Sequence, residues 1–145
     1  MSQTLQSFEN HARIVPLYHR VTALLLVVPL GYSVYRALTA FSIDRLMNVV
    51  LMFAIVLIYF FARVFALRVQ DRVIRLEEQL RMAELLPADL KSRIGEFRTG
   101  DLIALRFASD AELPDLARRV LAGEFAEPKA IKRAIREWRP DHDRA

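Results

Sequence analysis

The amino-acid sequence predicts an all-α fold: a transmembrane helical hairpin, a long juxtamembrane helix and a small cytoplasmic helical domain. Three observations carry that expectation. Two apolar runs near the length of a bilayer span follow one another across a short turn. No helix breaker comes after the second run until Pro87. Beyond Pro87 the chain offers helix caps and turn residues, with no period-two alternation long enough for a strand.

The first span is expected at residues 21–40. From Val21 to Tyr35 there is no charged side chain, and Arg36 lies close enough to one end to snorkel. A helix rises about 1.5 Å per residue and a bilayer core is about 30 Å thick, so some 20 residues suffice to cross it. Pro29 and Gly31 would break an isolated soluble helix, but in a membrane span they mark a kink or a close packing point. A cleaved signal would end at small residues; here Arg36 and a second span follow, so the segment is read as retained.

The second span is expected at residues 43–65. Its core, Leu46 to Ala62, is free of charge, and Ser42 with Asp44 supplies an N-cap and a first-turn acid. The short connection makes the spans an antiparallel hairpin, residues 21–62, preceded by an N-terminal interfacial segment, 1–20. Basic residues Arg13, Arg20, Arg63, Arg68, Arg72, Arg75 and Arg81 flank the hairpin, against Arg36 and Arg45 in the turn. The positive-inside rule therefore places both termini in the cytoplasm.

Strong helix formers continue past Ala62, so one helix is expected from Ile43 to Leu86. Its outer part, residues 63–86, forms a stalk beyond the bilayer. Along it Ala62, Ala66, Val69, Val73, Leu76, Leu80 and Ala83 recur at spacings of 4, 3, 4, 3, 4 and 3, a coiled-coil heptad seam. Val69, Val73, Leu76 and Leu80 are its large members, and exposed aliphatics on a helix in water need a cover. A second copy and the protein's own C-terminal helices are the two candidates. Asp71 with Arg75 and Glu77 with Arg81 are acid-first pairs one helical turn apart.

Residues 87–145 read as a module of short helices. PADLKSRIGEF can form one after Pro87, and Thr99 can cap GDLIALRFA. Ser109 with Glu112 makes a capping box for DAELPDLARRVLA, closed by Gly123. Pro128 opens PKAIKRAIREW, stopped by Pro140. The apolar residues among them, from Leu90 to Trp138, suffice for a core so small that the stalk or a second chain is needed to complete it.

Composition agrees with this division. Hydrophobic residues make up 54% of the 145, and mean hydropathy is +0.19, high for a soluble domain. The absence of Cys excludes disulfides, iron–sulfur clusters and Cys-type zinc sites. Few Gly and Pro residues exclude collagen-like and low-complexity chains.

The strings RVFALRVQDRVIRLEEQLRMAELLPADL, IALRFASDAELPDLARRVL, KAIKRAIREWRPD and NHARIVPLYH together resemble an uncharacterised family of small bacterial two-span integral membrane proteins, a domain of unknown function. The resemblance covers nearly the whole chain. It implies a bacterial origin and, with it, multi-pass residence in the cytoplasmic (inner) membrane. It brings no activity, cofactor or catalytic residue.

Several residue groups are candidate sites. Asn10, His11, Arg13, Tyr18, His19 and Arg20 gather at the membrane entry. Two imidazoles eight residues apart lie about 80° apart on a helix with no third metal-type ligand near them, so an interfacial anchor is favoured over a metal or proton site. Arg63, Arg68, Arg72 and Arg75 form a basic collar where the second span ends, suited to anionic lipid headgroups or simply to a topology signal. Asn48 lies one turn inside the second span, where it either bonds across helices or is hydrated. The basic tail around Trp138 does not suggest nucleic acid, because from Arg63 onward 17 basic residues face 15 acidic ones, a net of only +2.

No Ser, His and Asp set, paired-carboxylate pocket, glycine-rich phosphate loop or HExxH helix is legible. No catalytic, cofactor-binding or metal residue is therefore assigned. The leading expectation is a non-enzymatic membrane scaffold or regulator that pairs with itself or with another membrane protein. An accessory subunit of a larger membrane complex comes second, and a small interfacial enzyme or transport component third.

Overall fold

The computed structural model describes Phe8 and residues 15–141. A π-helical turn, Leu17–Thr22, runs directly into α1 (Ala23–Thr39). Then come α2 (Ile43–Leu85), α3 (Ala88–Lys91), a 3-10 turn (Ile94–Glu96), α4 (Thr99–Leu105), α5 (Leu113–Leu121) and α6 (Pro128–Ala134). The chain divides into two compact units, one of residues Arg13–Leu67 and one built on the residues from Arg68 onward. Helix α2 contributes to both.

In the first unit the helical stretch Leu17–Thr39 and helix α2 are each long and apolar enough to cross a membrane. They run antiparallel, since Ser33 pairs with Asn48 and Tyr18 with Tyr59. The turn between them is built as its residues dictate. Ala40 leaves the helical region, and the Ser42 hydroxyl accepts the Arg45 N–H as an N-cap. The Arg45 guanidinium donates to the carbonyl of Ala40, satisfying the open C-terminal end of α1. The faces of these helices are bare. Leu24, Leu25, Ile58 and Phe60 are all exposed, and no residue in the most apolar stretch of α2 is buried by protein.

The second unit folds around the C-terminal end of α2. Ile74, Glu78 and Met82 recur at one helical turn and are buried, followed by Leu86. Met82 and Leu86 join a core formed by Leu90, Phe97, Leu102, Leu105, Phe107, Leu113, Leu116 and Ile131. Burial of each such side chain is worth about 1.5–3 kcal/mol, and the α2 residues add to a core that the short helices alone leave small. Gly100 permits the close packing of α4 on α6: a Cβ there would lie 3.0 Å from the Pro128 ring.

Several helix ends differ from the sequence-based expectation, each for a local reason. The segment after Pro87 is not one helix but α3 and a 3-10 turn, since Gly95 is a poor helix former and Ser92 bonds back to the Asp89 carbonyl. Helix α4 is capped from Arg98, with Thr99 as its first residue. The buried Asp101 carboxylate reaches back to the Arg98 N–H and holds its guanidinium at 2.9 and 3.0 Å. Helix α5 begins at Leu113, because Pro114 lacks an N–H and fits only the first turn. The Ser109 hydroxyl still accepts the Glu112 N–H, but the Glu112 carboxylate turns away to the N–H groups of Arg136 and Glu137.

That bond also explains why α6 stops at Ala134, well before Pro140. The backbone of residues 136–139 finds partners across the fold instead of along a helix. Glu112 takes two N–H groups, Ser109 donates to the Glu137 carbonyl, and Arg139 donates to Phe107 at 2.8 Å. The antiparallel bridge between Ala108 and Trp138 belongs to this seam, and it lays the indole on Phe107 with ring centroids 4.8 Å apart.

Candidate functional site

At the start of the first apolar helix, the π-helical turn carries Tyr18, His19 and Arg20. Tyr18 donates its hydroxyl to the Tyr59 carbonyl at 2.9 Å and Tyr59 returns the bond to Tyr18 at 2.7 Å. The two rings stack with centroids 4.5 Å apart. This reciprocal clasp ties the entry of the hairpin to α2, and Tyr59 has no place in the sequence-based cluster. The signal was present, since an amphipathic ring near the end of an apolar run suits a membrane boundary. His19 bonds within its own turn, to Val15, and Arg20 is exposed. Asn10, His11 and Arg13 lie outside the described residues.

Deeper in the hairpin Ser33 is buried and donates to Asn48 Oδ1 at 2.7 Å. This side-chain bond links α1 to α2. Among the arginines, Arg68, Arg72 and Arg75 are exposed and share a stripe of about 60° on α2, while Arg63 is half-buried.

The heptad stripe on α2 is open. Val69 is 62% exposed, Val73 49%, Leu76 60% and Leu80 61%. The residues of this part of α2 that the chain buries, Ile74, Glu78 and Met82, lie about half a turn around the helix from the seam. Neither Asp71–Arg75 nor Glu77–Arg81 forms an ion pair among the described residues. Arg81 is drawn to the buried side instead.

There Arg81 makes a knot that sequence reasoning missed. Its guanidinium binds Glu78 at 3.1 Å, Asp110 at 2.7 and 2.9 Å, and the Ala108 carbonyl at 2.7 Å. Burial pushes the Glu78 carboxyl above its usual range, with Arg81 first and then Arg139 and Arg106 pulling it back. Arg106 is buried, pairs with Asp141 at 3.2 Å and lies over the Phe107 ring. These groups border an open cleft of about 710 Å³ whose rim includes Val73, Glu77, Leu80 and Glu84. The clue in the sequence was positional: Glu78 shares a helical stripe with Ile74 and Met82.

These features define an all-α protein with two helices long and apolar enough to cross a membrane, joined to a small helical unit with a buried ionic knot. The chain belongs to a family of unknown function (DUF6526), whose model matches residues 1–145. No curated protein and no solved structure matches it.

Proposed function

We propose that the chain is an integral membrane protein that crosses the bilayer twice and acts as a non-enzymatic scaffold, holding the unit beyond Arg68 at the cytoplasmic surface. The observation that carries this reading is the bareness of the hairpin. A helical stretch of 23 residues and most of the first half of α2 expose large aliphatic and aromatic side chains that no protein group covers. In water each such side chain would cost about 1.5–3 kcal/mol, and hydrocarbon removes that cost. The Tyr18–Tyr59 clasp suits one boundary, and Arg36 and Arg45 at the turn suit the other. Arg68 and Arg75 would meet anionic headgroups on the cytoplasmic side.

The test is extraction of membranes at alkaline pH together with fusion of one-sided reporters at Phe41 and after Ala145. The protein should stay in the pellet, with the turn reporter active outside the cytoplasm and the C-terminal reporter active inside. A reporter after Ala145 active outside the cytoplasm would overturn the orientation, and release into the supernatant would overturn the insertion.

A further inference from the structure

We infer that the exposed stripe Val69, Val73, Leu76 and Leu80 is a self-association surface, on which a second copy of this chain lays the same stripe as a parallel two-stranded coiled coil. The stripe is exposed, and the α2 residues that the chain buries, Ile74, Glu78 and Met82, lie on the opposite side of the helix.

Two features select a second copy as the occupant. The first is side-chain shape. With Val73 and Leu80 at a positions and Val69 and Leu76 at d, the central heptad has a β-branched residue at a and Leu at d, the pairing that favours two parallel strands. The second is charge. Arg72 falls at g and Glu77 at the following e, the two positions that face each other between parallel strands. In the single chain both are exposed, and neither enters an ion pair among the described residues. A two-fold dimer makes the Arg72–Glu77 pair twice.

Orientation follows from the membrane, so the inference rests on the proposed insertion. Copies inserted the same way present their stalks parallel, which is the arrangement in which Arg72 meets Glu77. Confinement to one bilayer also raises the effective concentration of stalks, which allows a seam this short to pair.

The chain has no Cys, so single Cys variants report on the seam without background. Val69→Cys, Val73→Cys, Leu76→Cys and Leu80→Cys, with Arg68→Cys and Arg75→Cys as controls on the neighbouring stripe, are oxidised as full chains in membranes. Residues at a and d meet their own counterparts across a parallel two-fold axis, within reach of a disulfide. Leu76→Cys is expected to give at least about fivefold more linked dimer than Arg75→Cys. Arg72→Glu should weaken association about fivefold, and adding Glu77→Arg should restore it. A flat cross-linking pattern in membrane-extracted pellets, or no restoration by the double exchange, would overturn the inference and leave insertion intact. Adducts with a mass other than twice the chain would overturn it in favour of a different partner. Recovery of the chain in the alkaline supernatant would overturn insertion and, with it, the parallel dimer.

Discussion

Replacing Arg81 with Met keeps most of the aliphatic stem and removes the charge, so it isolates what the guanidinium does. In the native chain Arg81 is only 11% exposed and Glu78 only 6% at the side chain, whereas Asp110 is 67% exposed. The pair with Asp110 is therefore a surface pair worth at most about 1 kcal/mol. The pair with Glu78 is a buried one, and breaking such a pair by removing one partner costs about 3–5 kcal/mol because the remaining charge is left without compensation. Glu78 can escape part of that cost by taking up a proton, so about 3 kcal/mol is expected for Arg81→Met at neutral pH. Glu78→Gln should be close to neutral, since its carboxylate is already disfavoured by burial. In combination, Glu78→Gln should recover about 1–2 kcal/mol of the loss in Arg81→Met. Urea unfolding of the full chain in mild detergent, followed by the fluorescence of Trp138, measures all four states. Trp138 is the single Trp of the chain and lies on Phe107 in the same unit. A loss below about 1 kcal/mol for Arg81→Met, or an equal loss with and without Glu78→Gln, would refute the reasoning.

The same carboxyl predicts a pH dependence. Its folded pKa is raised, so between the ordinary carboxylate value and the raised value the folded state holds a proton that the unfolded state has released. Stability from this group is therefore lost as pH rises through that window, and Glu78→Gln should gain on the native chain as pH rises above the ordinary carboxylate range in paired urea titrations. A difference that stays constant or shrinks with pH would contradict the assignment. Gly123 predicts a cap effect. Its φ of +77° closes α5 in a Schellman turn, with Gly123 N–H bonded to Val120 and Glu124 N–H to Arg119. A Cβ there has open space, so Gly123→Ala should cost only the left-handed backbone penalty, about 1–2 kcal/mol in the same unfolding assay.

How much of this was legible depends on how many residues vote for each feature. The hairpin was readable because about 20 successive apolar residues per span favour the same environment, and no single side chain can reverse that sum. Helix ends were decided by one or two bonds from distant residues. The Glu112 carboxylate that captures Arg136 and Glu137 ends α6, and nothing near Ala134 in the sequence announces it. Helix α2 is the instructive intermediate case. Its outer part carries two stripes about half a turn apart, one of Val69, Val73, Leu76 and Leu80, the other of Ile74, Glu78 and Met82. Hydrophobic periodicity alone ranks the first higher, because Glu78 interrupts the second. Yet the fold buries the second, because the Arg81 guanidinium can reach both Glu78 and the carbonyl of Ala108, so one side chain satisfies the buried acid and anchors the loop before α5. The better-patterned stripe is left outside. A helix that offers two faces and buries the one containing a charge leaves its more apolar face uncovered by its own chain, and in the proposed dimer the exchange of Arg72 and Glu77 restores association because that face meets a second copy.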